Sequence, residues 1–141
     1  MRALKLLGGA GTPDLGLLYA RLTGAALLLA VHGLPKLLHW RGELAHIDDP
    51  LGLGPGITLA CALFAEIVCP LLVAAGLCTR LACLPVLFLL GVSMLLVHPD
   101  WSLEQGQFGW LLIIVFGTIA LAGPGRFSVD GWWSRRRARD L

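Results

Sequence analysis

The sequence predicts an all-α, polytopic membrane protein built as a four-transmembrane-helix antiparallel bundle. Of its 141 residues 57% are hydrophobic and only 14% charged, against roughly a quarter charged in soluble domains. The mean hydropathy is +0.78. Four apolar stretches approach the roughly 17–25 residues that an α-helix needs to cross a hydrocarbon core about 30 Å thick. The length allows one domain, divided into an N-terminal segment (1–14), the membrane bundle (15–122) and a basic, amphipathic C-terminal tail (123–141). A net charge of +2, with basic residues gathered at the chain ends, excludes a nucleic-acid-binding face.

The first span, 15–38, follows Pro13 and carries Gly24-Ala25-Ala26, small residues that let a neighbouring helix approach. The second, 57–77, follows Asp49-Pro50 and Gly54-Pro55-Gly56, turn-forming punctuation outside the apolar run. Only Cys78-Thr79-Arg80 separates it from the third, 81–97. These two therefore form a helical hairpin, and four helices joined in this way make an up-down bundle. The third ends before Pro99, and the fourth, 108–122, before Gly123-Pro124-Gly125. Both are near the short limit, which implies little tilt or the use of flanking residues. The N-terminal run is broken at Gly8-Gly9 and Pro13, so it lacks the apolar region of a signal peptide and is expected to remain uncleaved. Arg2 and Lys5 precede the first span, Arg80 sits in the second turn, and Arg126, Arg135, Arg136, Arg137 and Arg139 follow the fourth. The other two loops hold Arg41 against Glu43, Asp48, Asp49, Asp100 and Glu104. The positive-inside rule then places both termini in the cytoplasm.

An ionisable side chain within a span costs roughly 2.5–3.5 kcal/mol on insertion scales and therefore needs a partner, water or a function. Arg21, His32, Lys36 and His39 fall within an arc of about 60° on an ideal helix, with Pro35 placed to bend its outer end. At the helical rise Arg21 lies about 9 Å from the cytoplasmic start, and Glu66 about 14 Å below the outer start of its own span. Glu66 is thus close in depth to His32 and within reach of Lys36, while His98 and Glu104 stand at the outer ends of the remaining spans. The expectation is a polar cavity open to the outer side, lined by His32, Lys36, Glu66 and His98, with Glu104 at its mouth. The competing reading is structural: Lys36, His39 and His98 snorkel to water, and Glu66 forms an ion pair with Lys36 that only holds the bundle. On the cytoplasmic side Arg21 needs an anion. Asp130 is the expected partner, in a structural ion pair that pins the C-terminal segment, with lipid phosphate as the alternative. Trp132-Trp133 and the arginines that follow read as an interfacial anchor on anionic lipid.

Other chemistry is weakly signalled. Cys61, Cys69, Cys78 and Cys83 form no Cys-x-x-Cys pair and sit in apolar sequence, where cysteine behaves as a small apolar residue; Cys78 with Cys83 is the best redox candidate. His39, His46, Asp48 and Asp49 share the first loop without the spacing of a closed zinc set, so no metal site is assigned. A haem held by His32 and a second histidine has nothing to specify it. Gly52, Gly54 and Gly56 follow no strand and are not a dinucleotide loop.

Arg21-Leu22-Thr23-Gly24, His32-Gly33-Leu34-Pro35-Lys36, Glu66, Gly76-Leu77 with Thr79-Arg80-Leu81-Ala82, His98, Glu104, and Gly123-Pro124-Gly125 with Ser128 and Asp130 together resemble the DoxX family, over roughly residues 15–130. The resemblance implies a four-helix protein of the bacterial inner membrane with Arg21, His32, Lys36, Glu66, His98 and Glu104 as polar core and Asp130 as a terminal motif. It also implies an association with quinone-linked electron transfer, since members are described as subunits of quinol oxidase or thiosulfate:quinone oxidoreductase, and others with thiol and superoxide stress complexes. A shared fold does not settle activity.

Two readings stay open, and with them whether the chain is an enzyme. In the first, a quinone headgroup or small polar substrate enters from the lipid or the outer side and binds Lys36 or His32 while Glu66 or His98 moves protons, electrons coming from a partner subunit. In the second, the chain is a non-catalytic assembly or scaffold subunit of a larger complex or a homo-oligomer, with the polar core holding the bundle. A transporter is the third and weakest, for lack of inverted repeats or broken helices. The residues themselves specify no cofactor; quinone enters through the resemblance alone.

Overall fold

The computed structural model describes residues 12–140, and their regular elements are all helical; the orientation signals at Arg2 and Lys5 lie outside the described residues. In chain order the helices are α1 (Pro13–Leu38), α2 (Trp40–His46), α3 (Pro55–Ala75), α4 (Thr79–Val97), α5 (Leu103–Ala122) and α6 (Val129–Arg137). Four of them, α1, α3, α4 and α5, are long and apolar enough to cross a membrane. α1 packs against α3 and α5, and α4 packs against the same two helices. The bundle is therefore a ring of neighbours in chain order. Its core joins Leu28 of α1, Cys69 and Val73 of α3, Val86 and Leu90 of α4, and Leu112, Phe116 and Ile119 of α5. Leu27, Leu71, Phe88, Ile114 and Leu121 are exposed on the outside, where lipid tails are as apolar as the core. Cohesion consequently rests on close packing rather than on transfer from water, as where Gly24 lies directly against Val115 of α5.

The helix ends obey local chemistry. α5 begins at Leu103, ahead of the apolar run expected from 108, because Ser102 and Gln105 form a reciprocal capping box. This gives the fourth span 20 residues, so it is not short. At the far end of α3, Gly76 takes the left-handed conformation (φ 72°), and Leu77 N–H and Gly76 N–H donate to the carbonyls of Leu72 and Val73, the Schellman arrangement. Cys78 follows with φ 47°, and α4 starts at once.

Three spans contain a wide π turn: Leu29–Gly33 in α1, Phe64–Val68 in α3 and Ser93–Val97 at the end of α4. In the first two a proline follows closely, Pro35 or Pro70. Proline has no N–H to donate, and inside a membrane helix the freed backbone is accommodated by such local adjustments. Helical geometry accordingly runs on past Pro35 and breaks only at His39 (φ −113°, ψ 27°). The two proline-linked π turns pack against each other. Gly33 makes this possible, since a Cβ there would strike the carbonyl oxygen of Glu66.

Candidate functional site

The π turns carry the polar residues of the membrane interior. His32 lies in that of α1, Glu66 in that of α3, and His98 directly follows that of α4. Lys36, one turn beyond His32, donates from Nζ to Glu66 Oε2 at 2.7 Å. The side chains of Lys36 and Glu66 are 20% and 7% exposed. The pair is the only direct salt bridge among the described residues. Two histidine rings are braced by aromatic neighbours: His32 stacks on Phe108 with centroids 5.7 Å apart, and His98 on Trp101 at 3.7 Å and 8°.

A cavity of about 770 Å³ opens beside this cluster, and His32, Lys36, Glu66 and His98 all line it. The remaining wall is largely apolar, supplied by residues such as Leu28, Ala62, Phe64, Phe88 and Val92. Glu104 is not among its lining; it stands exposed in the first turn of α5, where a carboxylate favours the helix dipole. Toward the segment that joins α1 and α3 the lining is instead Glu43 and His46 of α2 and Asp48, and the exposed His46 and Asp48 mark this end as the mouth. Sequence reasoning did not bring these to the cavity because it assigned no structure to the segment after the first span; Cys61 and Ser93 in the wall lie within the second and third spans, where hydropathy does not tell which side of a helix faces a cavity. His39 also falls away from the cavity, its Nδ1 lying 3.0 Å from the carbonyl of Pro35. The first-loop residues do not converge on one point. His46 Nδ1 lies 3.0 Å from the Gly42 carbonyl, and Asp49 accepts from Thr58 Oγ1 at 2.7 Å and from the Leu53 and Gly54 N–H groups. The Thr58 hydroxyl first, and the Gly54 N–H next, hold the Asp49 carboxyl below its ordinary range.

The opposite end of the bundle is tied together by the C-terminal segment. Arg21 is fully buried and comes near Asp130, but the two do not form the expected direct ion pair. Arg21 Nη2 donates to the Phe127 carbonyl instead, and its Nε and Nη1 have no partner among the described residues. Asp130 is drawn away by stronger claims: its carboxylate accepts the Cys78 and Thr79 N–H groups at 2.9 Å each and the Thr79 hydroxyl at 3.0 Å. In return Asp130 N–H donates to the Gly76 carbonyl at 2.9 Å. Asp130 is thus a helix cap for α4, supplied from a distant part of the chain. Burial pushes its carboxyl up, but the Thr79 and Cys78 N–H groups, the Thr79 hydroxyl and the Arg21 charge together hold it below the usual carboxylate range. Cys69 and Cys83 are sealed in the core, whereas Cys61 and Cys78 are exposed, and all four are free thiols. The Cys78 and Cys83 pairing therefore joins a surface thiol to a sealed one.

Four apolar spans and a partly buried lysine–glutamate pair define a multi-pass membrane protein with a cavity lined by α1 to α4 and the segment between α2 and α3. A family model described as DoxX matches residues 16–99, from the start of α1 to just past His98. The chain belongs to the DoxX family. His32, Lys36, Glu66 and His98 fall inside the match, while Glu104 and the 123–130 segment with Asp130 lie beyond it. No curated protein and no solved structure matches the chain.

Proposed function

We propose that this protein is a redox-associated subunit of a bacterial inner membrane that binds a quinone in the cavity beside Lys36 and Glu66. The observation that carries this reading is a 770 Å³ cavity whose largely apolar wall is interrupted by a lysine–glutamate pair closed at 2.7 Å. A quinone matches that contrast, with a flat ring for the apolar walls and two carbonyl oxygens for the donors. Lys36 carries three N–H donors, of which Glu66 takes one, so a ring oxygen has donors available to it. Reduction to the quinol adds two electrons and two protons. In this reading the electrons come from a redox partner subunit, and Glu66 or His98 passes the protons to the ring oxygens. Arg80 and the tail arginines share the end away from the cavity mouth, which by the positive-inside rule puts that end in the cytoplasm and the mouth outside.

A specific observation favours a second reading. Lys36 and Glu66 satisfy each other's charge without any ligand, as a purely structural pair in a scaffold or assembly subunit would. Binding of a short-chain quinone analogue to the protein in lipid nanodiscs separates the two. The proposal expects saturable binding by the wild type that is lost in Glu66→Gln and in Lys36→Met proteins that remain folded. A folded wild type that binds no quinone assigns the pair to the scaffold role.

A further inference from the structure

The two halves of α3 have different neighbours. Below its π turn, Cys69–Ala75 packs along α4, to which it is joined by the tight turn at Gly76–Cys78; above it, Pro55–Leu63 packs chiefly on α2. The hairpin of α3 and α4 is therefore closed at the tail end and parted toward the mouth. The cavity occupies this parting, as its walls include Cys61 and Phe64 on one side and Pro85 and Phe88 on the other. Several of these wall residues also belong to the outer surface: Ile57, Phe64 and Phe88 are 59%, 49% and 65% exposed, and Cys61 is exposed as well. All four lie within the membrane-spanning segments of α3 and α4. A residue that lines a cavity and is also exposed at bilayer depth stands at an opening toward lipid.

We infer that the cavity is reached sideways from the bilayer, through a slot between the upper half of α3 and α4, and that its ligand is an amphiphile carrying a lipid-soluble tail. The polar head rests against Lys36, Glu66 and Ser93, and the tail leaves between Cys61 and Phe88. The mouth at Glu43, His46 and Asp48 admits water and protons to the head. This deepens the quinone reading, on which the identity of the head rests, but the sideways access does not depend on the head being a quinone.

The test places a thiol inside the cavity and asks from which phase it is reached. In a background of Cys61→Ser and Cys78→Ser, which removes the exposed thiols and leaves Cys69 and Cys83 buried, Ser93→Cys is the reporter. In proteoliposomes, pyrene maleimide dissolved in the lipid is expected to label it at least tenfold faster than a charged, water-borne maleimide. Replacing the Cys61→Ser change by Cys61→Trp, which fills the slot, is expected to slow the lipid-borne reagent at least tenfold and leave the water-borne one unchanged. Equal labelling from both phases, or indifference to Cys61→Trp, overturns sideways access, and so does a reporter that neither reagent reaches. These readouts use no quinone, so a wild type that fails to bind quinone but shows slot-dependent labelling discards the headgroup assignment alone.

Discussion

Lys36 and Glu66 are not equal partners, although one hydrogen bond joins them. The lysine side chain, 20% exposed, reaches Glu66 on a long stem, whereas the glutamate, at 7%, is short and set in the middle of α3. Removing one partner of a buried pair costs about 3–5 kcal/mol when the other is left uncompensated, but a lysine that can snorkel avoids most of that cost. Lys36→Met is therefore expected to lower stability by about 3 kcal/mol, and Glu66→Gln by about 1 kcal/mol, the value of one net hydrogen bond. The double variant, with no orphaned charge, recovers most of the loss of Lys36→Met. Thermal unfolding of the four proteins in one detergent checks this order. Equal losses, or a double variant as unstable as the sum, would show that the two charges are not coupled as the geometry requires. The sequence made this pair legible through depth alone, since both residues fall near the same level of the membrane. Glu104, expected at the outer end beside the mouth, does not line the cavity, because depth says nothing about which way a side chain at a helix start faces.

At the scale of elements, the caps decide what hydropathy cannot. Apolar runs located all four spans, yet the true start of α5 lay in the Ser102 and Gln105 capping box, a signal outside the apolar stretch. The π turns were equally invisible to a 3.6-residue period, although Pro70, four residues after Glu66, marks where a backbone bond must be lost. The expected Arg21–Asp130 pair failed for a related reason: opposite charges at matching depth suggest a salt bridge, but the N–H groups at the start of α4 also needed an acceptor. Since Asp130 supplies it, Asp130→Ala is expected to cost about 1–2 kcal/mol, with Asp130→Asn, which keeps an acceptor oxygen, losing less. The carboxyl of Asp130 is held below its ordinary value, so its contribution is complete above the unfolded carboxylate range near pH 4 and disappears as pH falls through the lowered native value. Asp49, held down by Thr58 and Gly54, adds to the same acid window. Melting temperatures from pH 7 to pH 3 are expected to fall at the acid end, with a shallower fall in Asp130→Asn. An identical acid limb in wild type and variant would remove Asp130 from the account.

Across the whole molecule, charge and cavity are polarised in the same direction. The turn at Gly76–Cys78, Arg80 and the docked tail with Arg126, Arg135 and Arg136 gather at one end, where Arg80 Nη2 reaches the Leu121 carbonyl and Arg135 Nη1 the Arg126 carbonyl. Trp132 and Trp133 are exposed on α6, with Arg136 stacked 4.2 Å over the Trp132 ring, suited to the headgroup layer. The cavity mouth with Glu43, His46 and Asp48 is at the other end. By the positive-inside rule insertion is expected to follow the basic residues, so under the proposed function the side on which the tail lies would also fix the side from which protons reach Lys36 and Glu66. Cys78 reports that side directly, because its thiol is exposed at the tail end. In a Cys61→Ser background, a membrane-impermeant maleimide is expected to label Cys78 in inverted vesicles and to spare it in right-side-out ones. The opposite pattern would turn the mouth toward the cytoplasm. Quinone reduction in the cavity would then draw its two protons from inside the cell, while the sideways path for the tail would stand unchanged.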